Sequence, residues 1–244
     1  FAVTDTDNQA FYSDSRMNRQ SIGIAGAQAL PFKVWIDNWQ AFGKNGTIHL
    51  KAENDNLKIN FELVPVKPDI LQGENGFSRK GPGTGNASFY FSKPRLITRG
   101  KLSISGTDYE ISGKTWFDHE WSTSALDKTT AGWDWFSAHL DDGRDLMVCQ
   151  VRDSKGKPNG YGFGSVSLAD GSYIILDESR FSLKPLSYWT SPQTKKTYPL
   201  TWQIFIPSQN LDLRVSPVIK NQEHSHMFAY WEGAARFESS AVKG

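Results

Sequence analysis

Apolar and polar positions alternate with a period of two along much of the chain. Leu57, Ile59, Phe61 and Leu63 are interleaved with Lys58, Asn60 and Glu62. Such alternation sends successive side chains to opposite sides and predicts a half-buried β-strand. Ile48, Leu50 and Ala52 alternate just before it, and the polar residues 54–56 break the two runs, so 47–64 reads as a hairpin. Further strand patterns cover 87–92, 95–104, 108–117, 133–140, 145–152, 161–168, 172–176, 200–206, 211–215 and 227–237. Turn signals punctuate them: Ser105-Gly106, Asp142-Gly143, Lys155-Gly156 and Asp170-Gly171. Short strands at this spacing predict an all-β antiparallel barrel or sandwich. Residues 17–30 offer a short helical pattern around Ile22, Ile24 and Ala27, weakened by Gly23 and Gly26.

The least patterned stretch is 67–86, with Gly73, Gly76, Gly81, Pro82, Gly83 and Gly85 beside Arg79 and Lys80. Its composition reads as a mobile surface loop, or as a rim over a pocket. No Gly-Lys-Ser/Thr follows it, so it is not a phosphate-binding loop.

Composition sharpens this picture. Only 38% of residues are apolar, yet 13% are aromatic, including nine Trp. Burial must therefore be carried largely by rings, as in a β-rich core. The balance of 27 basic against 26 acidic residues gives no reason to expect a nucleic-acid or acidic-membrane partner. A single cysteine, Cys149, excludes an intramolecular disulfide and a cysteine-cluster metal site. His224 and His226 share a face if extended, but no third ligand is spaced beside them, so no metal is expected. No apolar run approaches the roughly 20 residues that span a bilayer. The 244 residues suit one large domain or two small ones, and a chain starting at Phe1 reads as processed or trimmed.

The candidate chemistry lies in 115–136. Trp116-Phe117-Asp118-His119-Glu120-Trp121 is followed by Trp133-Asp134-Trp135-Phe136. On a strand, Asp118 and Glu120 point one way with Trp116, while Phe117, His119 and Trp121 point the other. Trp133 and Trp135 share a face opposite Asp134. Two such strands form an aromatic wall with a few ionisable groups, which suits either ordinary core or the lining of an apolar pocket. His119 faces away from both neighbouring carboxylates, so any catalytic partner for it comes from elsewhere in the chain.

These residues resemble a known family. Gly113-Lys114-Thr115-Trp116-Phe117-Asp118-His119-Glu120-Trp121-Ser122, then Gly132-Trp133-Asp134-Trp135-Phe136 and Leu140-Asp141-Asp142-Gly143, are similar to the AttH-like and carotenoid 1,2-hydratase (hydroxyneurosporene synthase) family. Ser78-Arg79-Lys80-Gly81, Ala87-Ser88-Phe89-Tyr90-Phe91-Ser92 and Tyr230-Trp231-Glu232-Gly233-Ala234 extend the likeness over nearly the whole chain. The resemblance implies two tandem lipocalin-like antiparallel β-barrels, 1–103 and 104–244, the first incomplete, in a chain trimmed at both ends. It carries Asp118, His119 and Trp121 over onto the family's Asp-His-x-Trp motif. The hydratases place a Tyr and an Asp on a following strand; here 147–153 holds no Tyr, and Asp153 falls at its turn.

Three function classes follow. A binding protein would hold an elongated apolar ligand (an isoprenoid, acyl chain or lipid) in a barrel or interdomain pocket. By resemblance it would serve an ABC-type exporter in the cell envelope or periplasm. A hydratase would add water to a terminal isoprenoid double bond, with His119 and Asp118 or Glu120 transferring protons and no cofactor. Trp116, Trp121, Trp133, Trp135, Phe136, Tyr90 and Arg152 complete the candidate ligand-binding set. A structural protein would instead pair Asp118, His119 and Arg152 internally to tie strands together.

Overall fold

The computed structural model describes residues 1–83, 85–122, 130–226 and 229–240. The chain divides into two compact units, Phe1–Ser15 with Asp177–Gly244, and Arg16–Leu176. Among the described residues the regular structure is antiparallel strand, with two single 3-10 turns at Glu178–Arg180 and Pro207–Gln209.

Strands β1 (Ala2–Asp5) and β2 (Ala10–Ser13) pair with each other in the first of these units. The second unit opens with β3 (Ala25–Gln28), β4 (Lys33–Ile36), β5 (Trp39–Lys44), β6 (Thr47–Glu53) and β7 (Leu57–Pro65). Two short strands follow, β8 (Ile70–Leu71) and β9 (Phe77–Arg79), and then a long hairpin, β10 (Ala87–Ile104) and β11 (Thr107–Trp121). These form one sheet in the order β11-β10-β7-β6-β5-β4-β3, with β8 and β9 also on β10. A second sheet in this unit runs β12 (Thr130–His139), β13 (Asp145–Asp153), β14 (Phe163–Ser167) and β15 (Tyr173–Asp177). The remaining unit holds β16 (Ser182–Thr190), β17 (Thr197–Ile206), β18 (Leu211–Pro217), β19 (Glu223–His224), β20 (Tyr230–Trp231) and β21 (Ala235–Ser239). Its four-stranded sheet, β16-β17-β18-β21, buries Leu183, Trp202, Ile204, Ile206 and Val215.

The predicted β class and antiparallel pairing are present, and the 47–64 hairpin is β6 and β7. The closed barrels are not. Among the described residues the nine-stranded sheet ends in two unpaired edges, the four-residue β3 and the fifteen-residue β11. Residues 103 and 104, the expected meeting point of two barrels, lie at the end of β10 inside the hairpin. The 17–30 pattern yields β3 and turns instead of a helix. The 227–237 pattern resolves into β20 and β21, with 227–228 outside the described residues.

The Gly-rich stretch 67–86 is not merely a surface loop. Ile70, Gln72, Ser78 and Lys80 within it are all buried, and β8 and β9 pair with β10. Sequence pattern misses it because the pairing strands are two and three residues long, too short to show a period.

One irregularity organises this unit. The β10–β11 register shifts between Lys93 and Leu96, leaving Pro94 and Arg95 as a bulge. An extra residue reverses the alternation of a strand beyond it. Before the bulge, Ser88, Tyr90 and Ser92 face β13 and β14, where Tyr90 packs with Met147, Cys149 and Phe163. Beyond it, Leu96 faces the other way and packs with Ile48 and Leu63 on β6 and β7. One hairpin thereby contributes to two cores.

Arg95, inside the bulge, anchors the second sheet. Its Nε and Nη2 donate to Asp145 Oδ1 at 2.9 and 2.7 Å, and Asp145 has no exposed surface. His139 Nδ1 lies 2.7 Å from the same oxygen, and Lys67 Nζ lies 2.8 Å from Oδ2. Burial opposes ionisation of Asp145, but His139, Lys67 and Arg95 together hold its carboxyl below the ordinary value of 3.8. A depressed carboxyl pKa contributes stability above 3.8 and loses it as pH falls through the folded value. Asp145→Asn should therefore cost about 3–5 kcal/mol near neutrality, since it strands buried cations. The gap to the parent protein should close as urea midpoints are measured at progressively lower pH below 3.8. A gap that does not change with pH would remove the ion cluster from this account.

Candidate functional site

The outer half of the β10–β11 hairpin has two unlike faces. Register pairs Phe89 with Trp121, Tyr90 with Glu120, Phe91 with His119 and Ser92 with Asp118. Alternation thus puts Ser88, Tyr90, Ser92, Trp116, Asp118 and Glu120 on one side. It puts Phe89, Phe91, Phe117, His119 and Trp121 on the other. Of the three catalytic candidates, Asp118 and Glu120 come together and His119 is separated from them by the sheet.

The polar side is a hydrogen-bond network. Asp118 Oδ1 accepts from Ser92 Oγ and from Trp116 Nε1, the latter at 2.8 Å. Gln72 Nε2 donates to Ser92 Oγ at 2.9 Å and to Ser165 Oγ at 3.0 Å. Trp135 Nε1 donates to Tyr90 Oη at 3.3 Å. Glu120 Oε1 accepts from Ser88 Oγ and lies 2.8 Å from Lys80 Nζ. The floor is Met147, Cys149 and Phe163, all buried. Burial in this setting pushes the Asp118 carboxyl above its ordinary range, against the hydrogen bonds that favour its anion. Burial also raises the Tyr90 phenol, with Asp118 adding to the shift, and pushes the Cys149 thiol up to about 12. That thiol is no nucleophile.

The other side is apolar and open. Phe89 is 54% exposed, Trp121 49% and Phe77 40%. Ring centroids run in sequence from Phe77 to Phe89 at 5.9 Å, to Trp121 at 5.7 Å, to Phe91 at 6.4 Å and to Phe117 at 6.2 Å. His119 joins this row 4.9 Å from Trp121 and 5.5 Å from Phe91. No described residue hydrogen-bonds its ring nitrogens. Phe117 packs on the Ile48, Leu63 and Leu96 core, so the row continues a buried apolar interior out to solvent. Lys93 Nζ, 5.8 Å from the Phe91 centroid, is the nearby cation, and Asp69 neutralises it at 2.7 Å. Contiguous exposed rings of this kind mark a ligand or partner surface.

The other candidates fall elsewhere. Trp135 packs beneath Tyr90, whereas Trp133, on the same side of β12, is 55% exposed. Phe136 lies on the opposite side of β12 with Asp134. Arg152 Nε sits 2.9 Å from the buried Asp134 Oδ2, and burial raises the Asp134 carboxyl against that cation. Arg152 pairs with Asp134, not with Asp118 or His119. Sequence reasoning missed Phe77, Phe89 and Phe91 on the aromatic side and Lys80 on the polar side. The alternation of Phe89 and Phe91 with Ser88, Tyr90 and Ser92 was the available signal for the first set.

A raised carboxyl pKa has a definite consequence for Asp118. Its contribution to stability is fully present below 3.8 and is lost as pH rises through the folded value. Asparagine mimics the protonated side chain at every pH. The thermal midpoint of Asp118→Asn should therefore climb relative to the parent protein between pH 4 and 7, at roughly 2–4 °C for each kcal/mol. A midpoint that drops across that range would mean that the ionised carboxylate is the stabilising form.

The AttH-like family model matches residues 1–244. A crystal structure of an AttH protein from Nitrosomonas europaea superposes with a TM-score of 0.79 at 34% identity, covering 85% of this chain and 66% of that one. Kievitone hydratase from Nectria haematococca shares the fold, with a TM-score of 0.70 at 17% identity over 93% of this chain and 68% of that one. The dehydratase asqC of Emericella nidulans is 23% identical over 184 residues, which are 72% of this chain and 50% of that protein. The chain thus spans half the length of that dehydratase. With the family match running from the first residue to the last, the chain belongs to the AttH-like family.

Proposed function

We propose that this protein binds an elongated apolar molecule, such as an isoprenoid, acyl chain or lipid, along the aromatic face of β10 and β11. One observation carries this: the row of contacting rings from Phe77 to Phe117, exposed at Phe77, Phe89 and Trp121 and continuous through the partly buried Phe117 with a buried core. Covering one such ring yields about 1.5–3 kcal/mol. A molecule lying over several of them gains enough to offset the cost of being held. Delivery of this ligand to an ABC-type exporter of the cell envelope is the role that accompanies the binding function.

His119 favours a second reading on the same face. An imidazole that no described residue hydrogen-bonds, set among rings, suits proton transfer to an apolar substrate. Two of the similar proteins are a hydratase and a dehydratase. In the hydration direction, His119 as imidazolium gives its proton to one alkene carbon, leaving a carbocation on the other. The faces of Trp121 and Phe91 stabilise that cation, by about 2 kcal/mol or more once water is excluded. Water then bonds to the cation and returns a proton to the imidazole, so that water is added and the histidine is regenerated. Dehydration is the reverse. Asp118 and Glu120, across the sheet, hold the strand that carries His119.

Farnesol titrated against tryptophan fluorescence should bind the parent protein and bind Phe89→Asp at least tenfold more weakly. Undiminished binding to that variant would move the ligand off this face. Acyclic isoprenoids incubated in heavy-oxygen water then separate the two readings. Product carrying the label, lost in His119→Ala while binding persists, identifies a hydratase; unchanged compound recovered on the protein identifies a carrier.

A further inference from the structure

The aromatic row begins on a residue that does not belong to the hairpin. Phe77 lies on β9, the short strand paired along the start of β10 with Phe77 opposite Phe89, Ser78 opposite Ser88 and Arg79 opposite Ala87. Alternation sends the Phe77 ring to the aromatic side and Ser78 to the polar side, where Ser78 is buried. The segment reaches β9 through a tight turn at Gly73, where a Cβ would meet the Phe77 carbonyl oxygen at 2.5 Å. A three-residue strand entered through glycine-rich turns has little local preference to hold its place.

What holds it is Lys80. This side chain crosses to the polar side and is buried, 6% exposed. Its Nζ lies 2.8 Å from Glu120 Oε1, donates to Ser78 Oγ at 3.2 Å and sits 4.0 Å from the Phe163 ring centre. Its backbone is fixed too, by Lys80 N donating to Asn86 O at 2.7 Å and by Asn159 Nδ2 donating to Lys80 O at 3.0 Å. Burying an ammonium is costly unless its partner is well placed. Here the partner, Glu120, is the residue between His119 and Trp121 at the end of β11, whose outer edge no strand of the described residues covers. One ion pair therefore ties the Phe77 segment and the end of the β11 edge to each other from behind.

On the basis of the ligand face proposed above, we infer that Lys80 is a positioning residue that fixes the Phe77–Phe89–Trp121 end of the row and so sets how long an apolar chain the site accepts. A short ligand can sit at the other end, on Phe91, His119 and Phe117. A long one needs the Phe77 end, and only the long one should feel its loss.

Geraniol and geranylgeraniol make the comparison. Lys80→Met keeps length and apolar contact but removes the charge. It should weaken geranylgeraniol about tenfold, equivalent to about 1.4 kcal/mol, and change geraniol less than about twofold. Glu120→Gln should do the same, and the double variant should add little, because both remove one interaction. Phe77→Ala should copy the loss of length preference without touching the ion pair, and it serves where Lys80→Met does not fold. Equal weakening of both ligands, or of neither, in a folded variant would overturn the assignment. Failure of the parent protein to bind either alcohol would instead overturn the ligand face itself.

Discussion

A β-strand with strict alternation can serve one core on each side along its whole length, but it cannot change sides. The β10 strand changes sides. Its outer half buries Tyr90 against Cys149 and Phe163, and its inner half buries Leu96 against Ile48 and Leu63. The Pro94–Arg95 bulge makes both possible, and proline suits a bulge because it has no N–H to donate to the ladder. The same two residues release Arg95 toward Asp145. The constraint that fixes which residues face inward thus also fixes how the second sheet is attached. Deleting the extra residue, with Leu96 held in register, would send Phe89 and Phe91 to the polar side and Tyr90 and Ser92 to the aromatic side.

The two sides then differ in kind. On the polar side the donors and acceptors largely answer one another, from Gln72 through Ser92 to Asp118 and from Lys80 to Glu120. Networks of this sort fix geometry at a cost in stability, and the raised Asp118 carboxyl is a measure of that cost. On the aromatic side, large rings meet solvent with few polar partners, which folding alone does not favour. Rigidity behind and unsatisfied apolar surface in front is the arrangement expected of a site whose first contacts are held by a second layer.

Much of this was legible in the sequence. The alternation of Leu57 to Leu63 located a hairpin, and the Asp-Gly pairs located turns. The split of Asp118 and Glu120 from His119 and Trp121 followed from strand periodicity. The bulge was not legible, because 87–92 and 95–104 read as two strands with a break instead of one strand with an extra residue. Nor was the role of 67–86. Its Gly and Pro content suggested mobility, yet the order there comes from contacts distant in sequence. Lys80 meets Glu120, and Lys67 meets Asp145. Local pattern carries no information on such pairs. For the same reason Arg152 was grouped with Asp118, while the register of β12 against β13 brings it to Asp134.

The carrier and hydratase readings ask for nearly the same surface. Both need an apolar molecule held at a defined depth along Phe77, Phe89, Trp121 and Phe91. They differ in whether a reactive carbon stops beside His119. A carrier gains from holding its ligand tightly in any register along the row. A catalyst must hold one register, since proton transfer requires the acid within hydrogen-bond reach of the accepting atom. A device that fixes one end of the row lets a carrier select the length of its ligand. It matters a great deal to a catalyst that must place one double bond opposite one imidazole. The Lys80–Glu120 pair, its ammonium buried and its carboxylate 38% exposed, fixes that end of the row under either reading.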